Sequence, residues 1–164
     1  MKRKRILVVD DEVGFTRLLK LNLEQTRAYD VLIVNWAEDA VPAATRFRPD
    51  LILLDIIMPR LVGGDVAKCL RADPSLRHIP ILFFTAAVSK TRVREHDGVI
   101  SGFPILAKPA GVEEIIARID LLLSDGTQSD QNDCFSAEAA ISSNPMPGPK
   151  TTLPVPNDAR TALV

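Results

Sequence analysis

The feature that most constrains the fold is a set of four short segments that are apolar at every position. They occupy residues 6–9, 31–34, 51–54 and 81–84. A strand with one solvated face alternates apolar and polar side chains, whereas a strand buried on both faces is apolar throughout. Both faces are buried when helices cover a parallel sheet on its two sides. The four segments therefore predict interior strands of a parallel sheet.

Amphipathic stretches between these segments predict the covering helices. In the first stretch Phe15, Leu18, Leu19 and Leu23 recur at helical spacing, which indicates a buried stripe. Further helices are predicted at residues 37–47, 66–71, 90–96 and 112–123, and a fifth strand at residues 103–107. Five βα units of this kind predict a doubly wound α/β fold.

The composition changes near Ser124 and divides the chain into two parts. Residues 1–124 carry a net charge of +2 and form the predicted folded domain, whereas residues 125–164 carry a net charge of −3. The second part holds five of the twelve prolines and one aromatic residue, Phe135. Such a segment buries too little apolar surface to offset its ordering entropy. We therefore predict a disordered tail over residues 125–164.

The bulk composition excludes several classes of protein. No apolar run approaches the roughly 20 residues that a membrane helix needs, and the apolar run after the basic N-terminus is too short for a secretory signal. Cys69 and Cys134 are far apart in sequence and lack metal-ligand spacing. The net charge of −1 does not favour nucleic-acid binding. We expect a cytoplasmic protein that contacts neither membrane nor nucleic acid directly.

Polar side chains follow four of the five predicted strands. Asp10 and Asp11 follow the first, Asp55 the third, Thr85 the fourth and Lys108 the fifth. In a doubly wound sheet these ends converge on one crevice. Three carboxylates packed together repel unless a cation joins them, and all-oxygen ligands favour Mg²⁺ or Mn²⁺. A carboxylate nucleophile beside a hard cation, an ammonium and a hydroxyl is the set that phosphoryl transfer to aspartate requires.

With these residues the chain resembles the receiver domain of two-component response regulators, of the single-domain CheY-like type. The resemblance covers residues 4–124. It is carried by ILVVDDE at 6–12, PDLILLDIIMP at 49–59 with Gly63, IPILFFTA at 79–86 and AKP at 107–109. It implies a flavodoxin-like five-stranded parallel sheet with strand order 2-1-3-4-5, and residues 1–124 become the receiver domain.

The resemblance also implies a role for each site residue. Asp55 would accept a phosphoryl group from the phosphohistidine of a sensor histidine kinase or a histidine phosphotransfer protein. Asp11, Asp55 and the backbone carbonyl of Ile57 would bind Mg²⁺ directly, and Asp10 would reach the ion through water. Lys108 would contact the phosphoryl oxygens.

Two further expectations follow from the same resemblance. Thr85 would move toward the phosphoryl group, and the Lys108–Pro109 peptide bond would be cis. The signal would leave through the fourth helix, fifth strand and fifth helix, by binding a downstream protein or by phosphorylation-dependent homodimerisation. We expect neither a DNA-binding nor an enzymatic output domain, and no turnover of a separate substrate.

Two positions depart from the pattern of the family. Ile105 stands three residues before Lys108, where receivers usually carry Tyr or Phe. Phe103 is predicted to lie on the other face of the strand and Pro104 to need an edge strand. Ile57, two residues after Asp55, cannot orient a water molecule, which predicts slow loss of the phosphoryl group.

Three other interpretations remain to be compared with the receiver. A phosphotransferase or phosphatase with an Asp nucleophile usually carries it in an Asp-x-Asp arrangement after the first strand, a spacing absent from residues 10–12. A flavin-binding module needs a phosphate loop rich in Ser, Thr and Gly after that strand. A degenerate receiver that acts as a phosphorylation-independent interaction module is the main alternative. The intact acidic set argues against it, whereas Ile105 leaves it open.

Overall fold

Strands and helices alternate along the part of the chain that the computed structural model describes, residues 2–59, 62–100 and 102–125. The elements are β1 (Lys4–Val9), α1 (Val13–Gln25), β2 (Tyr29–Val34), a 3₁₀ turn (Ala37–Asp39), α2 (Ala40–Phe47), β3 (Leu51–Leu54), α3 (Gly63–Ala72), β4 (Ile81–Thr85), α4 (Lys90–Glu95), β5 (Val99–Ile100), β6 (Phe103–Ala107) and α5 (Val112–Asp125). The predicted disorder of the tail lies outside the described residues. Within them, no helix is long and apolar enough to cross a membrane.

The strands form one sheet in the order β2-β1-β3-β4-β6-β5. Five of them are parallel, which confirms the predicted fold class and the predicted order of the parallel strands. The sixth strand is an addition. β5 pairs antiparallel with the start of β6, where Val99 lies opposite Pro104 and Ile100 opposite Phe103. Pro104 was predicted to need an edge strand, whereas the first two residues of β6 pair with β5, which is the edge there.

The opposite edge of the sheet is β2, and side chains of α1 cover part of it. Glu24 Oε1 accepts a hydrogen bond of 3.1 Å from the backbone N–H of Val31. Lys20 Nζ donates to the carbonyl oxygen of the same residue. A salt bridge of 3.3 Å joins Lys20 and Glu24. Both backbone groups of Val31 therefore have side-chain partners.

Strand residues alternate between two apolar layers. Leu7, Val9, Ile52 and Leu54 pack with α2 and α3, whereas their neighbours Ile6 and Val8 pack with α1 and α5. This division confirms that helices cover both faces, as the uniformly apolar strands predicted. The predicted stripe on α1 is only partly correct, because Leu19 and Leu23 are buried but Leu18 is 60% exposed.

Phe103 and Ile105 lie on the same face of β6. Both pack in the layer that contains Phe83, and the rings of Phe83 and Phe103 are 5.3 Å apart between centroids. The prediction of opposite faces was wrong, because residues two apart in a strand share a face. Phe103 thus supplies an aromatic ring near the start of β6, while Ile105, 3% exposed, fills the position nearer the carboxyl end.

Candidate functional site

The carboxyl ends of the parallel strands bring the predicted site residues to one edge of the sheet. Backbone hydrogen bonds tie the residues that follow the strands to their neighbours. The N–H of Asp55 donates to Val9 at 2.9 Å, and the N–H of Lys108 donates to Thr85 at 2.8 Å. Each side chain is thereby held by a strand that is buried on both faces.

Three carboxylates form the floor of the site. Asp10, Asp11 and Asp55 each offer an oxygen atom within 4.8 Å of the others. Asp10 and Asp55 are buried, while Asp11 is half-buried. The backbone N–H of Glu12 donates to Asp10 Oδ1 at 2.9 Å, and that of Ile57 donates to Asp55 Oδ1 at 3.2 Å. These bonds orient two carboxylates and leave their Oδ2 atoms for Lys108.

The ammonium of Lys108 contacts three carboxylates of the site. Its Nζ atom lies 2.6 Å from Asp10 Oδ2, 2.9 Å from Asp55 Oδ2 and 3.0 Å from Glu12 Oε1. Burial lowers the pKa of this ammonium, but the three charge-assisted hydrogen bonds outweigh burial and raise the pKa overall. Lys108 therefore carries its positive charge at neutral pH.

Two aromatic rings support the ammonium of Lys108. Its Nζ lies 5.0 Å from the ring centroid of Phe15 and 5.6 Å from that of Phe84. The two rings contact one another with centroids 5.4 Å apart. A cation beside the face of an aromatic ring is attracted by the ring quadrupole. The peptide bond between Lys108 and Pro109 is cis, as expected.

The charges of the site favour a divalent cation. Within the described residues three carboxylates contact Lys108 and Asp11 belongs to the same cluster, so negative charge is in excess. Burial is the main reason that the pKa of Asp10 is raised, and the charge of Asp55 adds to it against the hydrogen bond from Lys108. Hard oxygen ligands with excess negative charge fit Mg²⁺ or Mn²⁺. Protons compete with the cation for such ligands, so the affinity for the cation is expected to decrease as the pH is lowered.

Thr85 is fully buried at the end of β4. Its hydroxyl accepts a hydrogen bond of 3.1 Å from the backbone N–H of Ala87. Its carbonyl accepts from Lys108, so the two residues are adjacent. The hydroxyl faces the loop that follows β4. The predicted movement of Thr85 toward a phosphoryl group stays a prediction.

The loop after β3 is shaped by Gly63. Its backbone N–H donates to Ile56 at 2.8 Å. A Cβ atom at Gly63 would lie 2.0 Å from the carbonyl oxygen of Asp55. The first turn of α3 therefore packs directly on the backbone of the site, which only a residue without a side chain permits.

Ile57 lies in the same loop with its side chain 61% exposed at the mouth of the site. The predicted slow loss of the phosphoryl group, which follows from an apolar side chain at Ile57 that cannot orient water, stays a prediction. The predicted role of its backbone carbonyl as a metal ligand stays a prediction.

Two polar residues of the site were not predicted from sequence. Glu12 was assigned no role at the site, yet its carboxylate contacts Lys108. Asn35 was left outside the set because the second strand ends without an acid. Its Nδ2 donates to the backbone carbonyl of Asp10 at 2.6 Å and to Thr16 Oγ1 at 3.1 Å. The available signal was its location directly after β2, at the same edge of the sheet.

Replacing Asn35 with alanine is expected to weaken Mg²⁺ binding by about tenfold, because residues behind metal ligands orient them. The amide holds the main chain of Asp10, so its loss frees the Asp10–Asp11 pair. Mg²⁺ titration followed by the fluorescence of Trp36, the only tryptophan of the chain, measures the change. Thr45→Ala on the exposed face of α2 is the control. Equal Mg²⁺ affinities of Asn35→Ala and the unaltered chain would contradict this role.

Comparison with known proteins identifies the architecture. A family model described as the response regulator receiver domain matches residues 6–120. The chain belongs to the response regulator receiver family. It is 37% identical over 124 residues to the alkaline phosphatase synthesis transcriptional regulatory protein PhoP of Bacillus subtilis, which is 73% of this chain and 48% of that protein. It is 35% identical over 118 residues to the DNA-binding response regulator MtrA of Mycolicibacterium paratuberculosis, which is 71% of this chain and 50% of that protein.

Solved structures agree with this assignment. The chemotaxis protein CheY4 of Vibrio cholerae superposes with a TM-score of 0.62 at 25% identity, covering 73% of this chain and 98% of that one. The receiver family interacts with histidine kinases and generally binds a divalent metal at its acidic pocket. The chain spans about half the length of the curated relatives it matches.

Proposed function

We propose that this receiver acts as a stand-alone phosphoacceptor, in which Asp55 takes a phosphoryl group from the phosphohistidine of a histidine kinase or histidine phosphotransfer protein. The observation that supports it most is the ammonium of Lys108, held within 2.9 Å of Asp55 and 2.6 Å of Asp10. The acidic cluster around it fits Mg²⁺ or Mn²⁺ through Asp10, Asp11 and Asp55. The backbone carbonyl of Ile57 is proposed as a further ligand.

The proposed reaction is a displacement at phosphorus. A carboxylate oxygen of Asp55 forms a bond to phosphorus while the bond from phosphorus to the donor nitrogen breaks, and the donor keeps that electron pair. The divalent cation, when bound, neutralises charge on the transferring phosphoryl oxygens. Lys108 offers its ammonium to the same oxygens, and the Thr85 hydroxyl is proposed to leave Ala87 and donate to another. Ile57 N–H keeps the second oxygen of Asp55 in place.

The cation and the ammonium have complementary tasks. Lys108 contacts carboxylates that a divalent cation would also contact. A bound cation would therefore neutralise part of the negative charge that the ammonium otherwise neutralises alone. A phosphoryl group adds about −1.5 to −2 charges at one point. The ammonium is positioned to pair with that charge after the transfer.

We propose that phosphorylation changes binding of a downstream protein, or of a second copy of the chain, at the face formed by α4, β6 and α5. Residues 125–164 have a composition unlike that of a folded output domain. We accordingly propose that this chain contributes no DNA-binding and no enzymatic output, that it acts in the cytoplasm, and that it turns over no separate substrate.

The proposal is tested by incubating the full chain with acetyl phosphate, with and without Mg²⁺. The expected result is a gain in mass of one phosphoryl group that requires Mg²⁺ and is located on Asp55 by peptide mapping. Oligomeric state is measured before and after. A chain that gains no phosphoryl group and shows no fluorescence response to beryllofluoride with Mg²⁺ would instead be the degenerate interaction module.

Substituting Ile57 with asparagine is expected to shorten the lifetime of the phosphoryl group. A branched apolar side chain at the mouth of the site cannot hydrogen-bond the attacking water, whereas an amide can. The half-life of the adduct is measured by mass after removal of acetyl phosphate. Ile57→Val, which keeps the site apolar, serves as the control. The hypothesis is wrong if the unaltered chain loses its phosphoryl group faster than Ile57→Asn.

A further inference from the structure

The edge of the sheet opposite Asp55, where the parallel strands begin, carries a row of exposed basic side chains. This amino edge is defined by Lys2, Arg3, Lys4, Arg27, Arg46, Arg48 and Arg77, all of which are exposed. Neither phosphoryl transfer nor the proposed output face uses these residues. Their concentration at one end of the domain therefore needs its own explanation.

The basic residues are neighbours because the strands that follow them are neighbours. The N–H of Lys4 donates at 2.9 Å to Ala28, the residue after Arg27. The guanidinium of Arg5 donates at 2.8 Å to the carbonyl of Phe47, which lies between Arg46 and Arg48. The sheet order β2-β1-β3-β4 then places the strand starts side by side, about 4.8 Å apart. The row follows the end of the sheet across these four strands.

Acidic groups at this edge are mostly engaged with other partners. Asp50 accepts a hydrogen bond of 2.6 Å from the backbone N–H of Arg5. Asp120 accepts one of 2.5 Å from the hydroxyl of Tyr29, and Glu24 pairs with Lys20 at 3.3 Å. Asp30 is the exposed acid of β2, opposite Arg5 in the register. Asp73 lies beside Arg77, whose N–H donates to its carbonyl, and its carboxylate accepts hydrogen bonds from Ser75. The seven exposed cations outnumber these five acids, so the amino edge is electropositive.

Two of the arginines occupy backbone conformations that favour glycine. Arg27 follows α1 with a φ of 60°, and Arg48 caps α2 with a φ of 50°. Left-handed residues after helices are usually glycine, because a Cβ is strained there. A cation at a helix C-terminus complements the helix dipole. The dipoles of two helix C-termini account for two cations at most. The seven exposed cations at this edge, two of them in strained conformations, therefore point to an anionic ligand.

The chain itself supplies an acidic segment that begins at this edge. α5 runs back from the Asp55 edge, and its Asp120 is bonded to Tyr29, the first residue of β2. The residues that follow α5 therefore start beside the row. Residues 125–138 contain four acids and no lysine or arginine: Asp125, Asp130, Asp133 and Glu138.

We propose that the acidic segment 125–138 docks on the amino edge of its own chain. Thirteen residues beyond Asp125 reach up to roughly 40 Å when extended, whereas four strands span only about 15 Å. Covalent attachment also gives the segment an effective concentration on the order of millimolar. Docked there, the acids would offset the charge of the row and weaken its binding of external polyanions. The inference is independent of phosphorylation, which concerns the opposite edge.

The test compares the full chain with the full-length variant D130N/D133N/E138Q by amide NMR and by elution from heparin. Without its acids the segment is expected to leave the row, so the amide signals of residues 27, 46 and 48 shift. The variant is also expected to elute from heparin at a higher salt concentration. The same signals of the unaltered chain should move toward those of the variant at 1 M salt, where the screening length is only about 3 Å. Asp158→Asn, which removes a distant acid, is expected to change neither measurement.

A second variant removes two of the seven cations, Arg27 and Arg48, and leaves the backbone relaxed. R27G/R48G is expected to fold at least as well as the unaltered chain, because glycine suits both positions. The effect of D130N/D133N/E138Q on the remaining edge signals should be reduced in this background. Identical edge signals in the unaltered chain and D130N/D133N/E138Q would overturn the proposal. So would shifts that appear only at high protein concentration, which would indicate docking on a second copy, or equal retention on heparin, which would indicate an edge open to external polyanions.

Discussion

Asp55→Asn is expected to abolish formation of the phosphoryl adduct from acetyl phosphate at every Mg²⁺ concentration. An amide is not a nucleophile toward phosphorus, and the proposed function assigns the bond to phosphorus to Asp55 alone. The Oδ1 atom of Asp55 accepts from Ile57 while Oδ2 faces Lys108. Asparagine keeps one acceptor oxygen and has nearly the same shape, so the fold should persist. Mass measurement of the intact protein checks the result, and a thermal melt confirms folding.

The control for this substitution is Asp65→Asn on α3. Asp65 is half exposed and pairs with Lys68 at 3.0 Å, so its loss leaves the site intact. This variant should accept a phosphoryl group at the rate of the unaltered chain. A phosphoryl adduct on Asp10 or Asp11 of the Asp55→Asn protein would show that the nucleophile had been assigned to the wrong carboxylate.

Gly63→Ala is expected to destabilise the domain by about 3 kcal/mol, at the upper end of the range for overpacking a buried site. The added Cβ would lie 2.0 Å from the carbonyl oxygen of Asp55 and 2.9 Å from Ile56 Cα, and both are backbone atoms that cannot rotate away. Either α3 or the loop after β3 must move. Urea unfolding at neutral pH, without divalent cations, measures the change.

Gly14→Ala provides a matched comparison within α1. No atom lies within 4 Å of the position that its Cβ would occupy. Alanine at an open helical position should stabilise the domain by about 0.5–1 kcal/mol, because it reduces the entropy of the unfolded chain. Opposite signs for the two substitutions would confirm that close approach to the backbone, and not helix propensity, requires glycine at position 63. A loss below 1 kcal/mol for Gly63→Ala would contradict this explanation.

The sheet and the convergence of the strand ends could be predicted because both depend on short-range patterns. A strand that is apolar throughout has one plausible environment, and the polar residue that follows it must emerge at the carboxyl edge. Asp10, Asp55 and Lys108 were found by this rule alone. Their mutual distances were not, because the register between strands depends on the packing of whole layers.

The features that were missed depend on contacts remote in sequence. Glu12 meets Lys108 across 96 residues, and Asn35 meets the carbonyl of Asp10 across 25. Neither contact leaves a periodic pattern. β5 was missed because two residues are too few for an alternation to be recognised. Leu18 has helical spacing from Phe15, but the buried residues of α1 are Thr16, Leu19 and Leu23, which leaves Leu18 60% exposed.

The two boundaries of the sheet restrict how copies of this protein can associate. On β2, Lys20 and Glu24 occupy the backbone groups of Val31 that a foreign strand would use. On β6, the short β5 strand and Pro104 remove the corresponding groups, and the N–H of Ile105 donates to Gly98. An unprotected edge is a template for aggregation by strand addition. At these positions copies of the domain would meet through side chains, and such contacts, unlike a continuous ladder, are readily reversed.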